Sequence, residues 1–126
     1  MCGPGVPWCA RTDELFGVEG VHVLAVTTRE DGTVPLKTFW NEARGDVATC
    51  GTDACVHEQE IAGYVFLRDE GFVYSAPRPG TVPLRLFWNA ERQDNATCAT
   101  DACAADQTSV GYQYIRDEGF VFPATP

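Results

Sequence analysis

Two stretches of this chain are one pattern written twice. Residues 32–76 read GTVPLKTFWNEARGDVATCGTDACVHEQEIAGYVFLRDEGFVYSA, and residues 80–124 read GTVPLRLFWNAERQDNATCATDACAADQTSVGYQYIRDEGFVFPA. They align without a gap at an interval of about 48 residues, with roughly 27 identities. A period of this length makes each copy one supersecondary unit, and the fold a packing of units. Polar residues kept in both copies then belong either to the scaffold of the unit or to a site presented more than once.

A third, damaged copy precedes the two. Cys2 lies as far before Cys50 as Cys50 lies before Cys98, and residues 15–25 shadow residues 66–76. Cys9 falls two positions later than the pattern asks, and the VPLxxFWN half of this unit is missing. The expected organisation is one domain over 1–126, with a partial repeat at 1–30 and full repeats at 31–78 and 79–126. We call the full repeats unit 1 and unit 2.

A chain of 126 residues is large enough to bury a core once its units pack together. The formal net charge of -9 argues against a nucleic-acid partner, which would select a basic face. It argues equally against an anionic membrane surface, and no apolar run approaches the length of a spanning helix. The six cysteines fall as Cys2 with Cys9, Cys50 with Cys55 and Cys98 with Cys103, one pair per unit. Six cysteines alone allow many connectivities, but a repeated pair closed the same way in each unit narrows them to three local disulfides. A zinc site wants four ligands, and His57 has Ala105 as its counterpart, so neither a metal nor another cofactor is expected. Disulfides in turn imply an oxidising, secreted setting.

Within the unit, VPLKTFWN alternates, with Leu36, Thr38 and Trp40 on one face and Pro35, Lys37 and Phe39 on the other. The first set is expected to face the core, because Thr38 becomes Leu86 while Lys37 stays basic as Arg85. A polar turn at 41–45 and 89–93 and a short strand at 48–50 follow. Residues 57–62 could hold a helical turn or two. The run 63–68 reads as a strand, Asp69-Glu70-Gly71 as a turn, and residues 72–74 as the returning strand of a hairpin. Three units of about four short strands predict an all-β, β-trefoil-like fold; an open array of hairpin units is the alternative. A missing first strand pair would leave an open edge, where a homodimer could form.

The pattern P-L-x-x-F-W-N, then R-x-D-N-x-T, then G-Y-x-x-x-R-x-E-G-[FY]-V-F resembles a little-characterised family of secreted tandem repeats in bacteria and fungi. That family is distantly similar to the P-L-Y-R-[FY]-Y-N repeats appended to cell-wall hydrolases. The resemblance covers about three-quarters of the chain. It departs at the cysteine pair and at Val47, which stands where Asn95 keeps the D-N pair. It implies an extracellular module that binds a glycan or cell-wall polysaccharide, with no defined activity.

The richest constellations are Trp40, Asn41, Arg44 and Asp46, and their counterparts Trp88, Asn89, Arg92, Asp94 and Asn95. A sugar needs an aromatic face for its C–H patch and planar amide or carboxylate partners for paired hydroxyls. The competing reading makes the tryptophans core and the Arg–Asp pairs turn locks. The repeated Arg-Asp-Glu-Gly at 68–71 and 116–119 invites a glycosidase, which needs two acids across one bond. Adjacent acids kept in both copies read better as scaffold, with Gly at positive φ and Glu accepting backbone N–H groups. Asn95-Ala96-Thr97 matches an N-glycosylation acceptor. The expectation is a non-enzymatic, lectin-like module with two equivalent sites. Its rival is a protein-binding module, such as a protease or toxin inhibitor, acting through the Gly3–Trp8 loop.

Overall fold

The structure, a computed structural model, describes residues 23–24 and 29–123. Unit 1 runs β2 (Thr33–Asn41), β3 (Asp46–Cys50), α1 (Asp53–Ile61) and β4 (Val65–Tyr74). Unit 2 repeats it as β5 (Val82–Asn89), β6 (Asp94–Cys98), α2 (Asp101–Ser109) and β7 (Gln113–Pro123), and the two-residue β1 (Val23–Leu24) lies ahead of both. The first strand of each unit is central, flanked by the other two in antiparallel register. The units join third strand to third strand at Tyr74 and Phe120, giving the order β3-β2-β4-β7-β5-β6, with β1 added beside β7. This is the expected β-rich architecture. The described residues show two lobes in one sheet and no three-fold closure, and most of the partial repeat lies outside them.

Local chemistry explains the elements. The side chain of Asn41 accepts the Arg44 N–H at 3.0 Å, and Asn89 accepts that of Arg92 at 2.9 Å, so each Asn folds its own turn. The helix is longer than the one or two turns expected over residues 57–62 and starts earlier, at Asp53. Thr52 caps it by accepting the Cys55 N–H, with Asp53 in the first turn, and Thr100 and Asp101 do the same for α2. Cys55 and Cys103 therefore sit on helices, tied by disulfides to Cys50 and Cys98 at the ends of β3 and β6. The Cys2–Cys9 pair lies outside the described residues.

The expected hairpin at residues 69–71 is absent: β4 runs straight through. Its pairing with β2 slips at Pro35/Lys37 and again at Thr38/Phe39, and β7 slips on β5 at the equivalent places. The Glu-Gly step is thus a bulge, with Gly71 at φ 124° and Gly119 at φ 134°. A turn and a bulge both ask for glycine at positive φ, which is why the sequence reads as either.

Both faces of the central strand are buried, so the single core face expected from alternation is corrected. Leu36 and Thr38 are buried on one side, Phe39 and Asn41 on the other, while Trp40 is only half-buried. Phe39 packs with Ala48, Cys50, Cys55 and Tyr64 beneath α1, and the counterparts Phe87, Ala96, Cys98, Cys103 and Tyr112 cluster beneath α2. Leu86 of unit 2 enters the unit 1 cluster, while Leu36 and Val73 of unit 1 enter the other. The cores interlock, and truncating Leu86 would cost roughly 2–5 kcal/mol as a cavity.

Candidate functional site at the junction of the two units

The residues singled out within one unit are distributed across the junction between units. Asp46, 3% exposed, accepts the Tyr64 hydroxyl at 2.6 Å, then the side-chain amide of Asn95 at 2.7 Å and the Asn95 backbone N–H at 3.1 Å. Asp94 receives the Tyr112 hydroxyl in the matching way. Burial first, and then the contact with Asp94, push the Asp46 carboxyl up to about 6, against the Tyr64 and Asn95 donors that lower it. Burial and then Asp46 push the Tyr64 phenol up to about 12, so it stays a donor.

Arg44 also crosses. Its guanidinium lies 5.7 Å from the Tyr64 ring centroid and 5.4 Å from that of Trp88, a cation–π clasp between the units. Among the described residues, Arg92 lies over the ring of Tyr112 of its own unit alone. Between Arg44, Glu58 and Gln59 of unit 1 and Leu86, Trp88, Asn95 and Ile115 of unit 2 lies a cleft of about 240 Å³. Its rim is braced by the Arg116–Glu58 ion pair at 2.5 Å. The cleft joins an aromatic ring, a guanidinium, a carboxylate and an amide, which is the donor and acceptor mixture a polyhydroxylated ring requires.

Other predicted residues are placed elsewhere. Asn41 and Asn89 are buried, each side-chain amide also donating to the carbonyl at the end of the helix, Ala62 or Val110, at 3.3 Å. They hold the turn to the helix and present nothing outward. Trp40 does not line the cleft. The two equivalent constellations thus resolve, among the described residues, into one cleft made by both units. Asn95 is 7% exposed with its amide on Asp46, so the folded chain does not offer it for glycosylation. The Gly3–Trp8 loop lies outside the described residues.

The acidic step has the scaffold role. Glu118 is fully buried, and its Oε1 accepts Gly51 N–H at 2.9 Å, Thr52 N–H at 3.0 Å and the Thr52 hydroxyl at 2.8 Å. Its Oε2 meets Arg116 at 3.2 Å. Burial raises its carboxyl above the usual range, opposed by those donors. Asp117 is half-buried and receives the Tyr114 hydroxyl, so the two adjacent acids serve different partners and do not flank a common bond. Among the described residues the one grouping of metal-ligating side chains is Cys50, Cys55 and Glu118, whose sulfurs are already bonded to each other.

Sequence reasoning missed Tyr64, Glu58, Gln59, Arg116 and Ile115. The usable signal was the Val47–Asn95 difference: a polar position that changes between copies points to a partner outside its own unit. No known protein-family model, curated protein or solved structure matches the chain. No described helix is long and apolar enough to cross a membrane.

Proposed function

We propose that the chain is a secreted, non-enzymatic carbohydrate-binding module whose glycan site is the cleft between its units. The observation that carries this reading is the Arg44–Trp88 pairing: a half-buried indole beside a guanidinium, with Gln59 and Glu58 within the same cleft. Two buried local disulfides, expected of proteins from oxidising compartments, support the extracellular setting. The resemblance to secreted wall-associated repeats points the same way. A trefoil-like grouping, with residues 1–30 as third lobe, is the arrangement we propose for the whole chain. A single shallow site of this kind binds weakly, and repeated display on a surface or polymer would supply avidity.

The test is a glycan array followed by titration calorimetry with the best free sugar. The expected stoichiometry is near one, with binding lost in Trp88→Ala and Arg44→Ala and kept in Trp40→Ala. No retained glycan, or binding indifferent to Trp88, would reject the assignment.

A further inference from the structure

The contact that seats unit 2 on unit 1 has an accepting side and a docking side. On the accepting side is the loop after Cys50. A Cβ at Gly51 would lie 1.8 Å from the backbone carbonyl oxygen of Glu118, so only glycine fits beneath the docking strand. The docking side is the face of unit 2 bearing Leu86, Trp88, Asn95, Ile115 and Glu118. Unit 1 carries the counterpart face one repeat earlier, as Thr38, Trp40, Val47, Leu67 and Glu70. Leu67 is 45% exposed there, and no described strand pairs along the outer edge of β4 before Tyr74.

We propose that this face of unit 1 is a docking surface, and that its occupant is the Cys2–Gly3 loop of the same chain. Elimination among the three cysteine loops selects it. The loop at Gly51 is filled by Glu118. The loop at Cys98 continues with Ala99, whose Cβ stands where Gly51 has none, so it cannot take the same strand. That rejects a second copy docked head to tail, and leaves the third junction to a different contact. Gly3 remains, one repeat interval before Gly51. Its N–H is assigned to the Glu70 carboxylate, which also accepts the Thr38 hydroxyl at 2.6 Å and pairs with Arg68 at 2.8 Å. Pro4 stands where Thr52 donates twice, so one of three hydrogen bonds is kept. Val47 in place of Asn95 removes the acid lock, and the apolar Trp40, Val47 and Leu67 become the body of the contact.

The experiment is amide hydrogen exchange by NMR on the intact chain. The Gly3 amide is expected to exchange at least about tenfold more slowly than in a free peptide. Glu70→Gln should abolish that protection and speed exchange at residues 66–70. Gly3→Ala should speed the same strand amides, whereas Ala99→Gly should leave them unchanged. Glu70→Gln keeps size and shape, so it remains informative if Gly3→Ala folds poorly. A Gly3 amide exchanging at the free-peptide rate, or unaltered by Glu70→Gln, overturns the proposal. Strand protection that rises with protein concentration also overturns it, and assigns the face to a second copy.

Discussion

The side-chain amide of Asn95 reaches across the unit junction to the Asp46 carboxylate at 2.7 Å, while its own backbone N–H donates to the same group. One residue thus satisfies a buried acid of the other unit twice. The equivalent position in unit 1 is Val47, which can donate only from its backbone. The junction is therefore directional: unit 2 is built to sit on unit 1.

Replacing Asn95 with Val, the residue its own repeat tolerates one interval earlier, should separate the two roles. The strand keeps its shape, but Asp46 loses a charge-assisted donor while still buried. We expect a loss of about 2 kcal/mol in urea denaturation, the scale of one hydrogen bond to a charged group, since the Tyr64 hydroxyl and the backbone N–H of residue 95 remain as donors. A change under about 0.5 kcal/mol, typical of a neutral surface substitution, would show that the lock does not hold the units together.

Asp46 also sets a pH dependence. Its folded carboxyl stands near 6, above the unfolded value of 3.8, so its protonated form is the one that folding favours. The contribution is present in full below about pH 4 and is lost as pH rises through about 6. Glu118 is raised as well and acts in the same direction. The Asp46→Asn variant should therefore gain stability relative to wild type between pH 4 and 7, by roughly 1–2 kcal/mol after allowance for solvent screening. The readout is the wild-type minus variant difference at each pH, which cancels the other carboxylates. A flat difference would remove Asp46 from the account.

Glu118 and Asp117 are neighbours with opposite expectations. Glu118→Gln leaves fewer acceptor sites for Gly51, Thr52 and Arg116 in a fully buried setting, and should cost about 3 kcal/mol. Asp117→Asn keeps its partner Tyr114 at the surface and should fall within about 0.5 kcal/mol of wild type. Gly51→Ala should exceed both, because its Cβ would strike backbone. Equal melting temperatures for the Glu118 and Asp117 variants would contradict the placement.

Peptide mapping without reduction should recover Cys50 joined to Cys55 and Cys98 joined to Cys103. Each closes a short loop, so replacing one pair by serines should lower stability by only roughly 2 kcal/mol. A bridge between units in the map would be incompatible with the fold.

The chain by itself determined what is local. The repeat interval defined the two lobes, the per-unit cysteine pairs their disulfides, and the Glu118-Gly119 step a scaffold element in which the acid accepts backbone N–H groups. These follow from short-range spacing and from glycine's freedom at positive φ, which a sequence displays directly. The same freedom serves a turn and a bulge alike, so the hairpin expected at residues 69–71 became an unbroken strand once β2 supplied a ladder along its whole length. The tertiary structure alone decided which unit each polar side chain serves. Arg44 reads as a partner of Trp40, four residues away, yet meets Trp88; Asp46 reads as a turn lock with Arg44, yet takes Asn95. Periodicity fixes how a unit folds on itself. The rotation and offset with which two units dock are set by the fit of Leu86, Glu118 and Gly51, contacts more than thirty residues apart that no local spacing encodes.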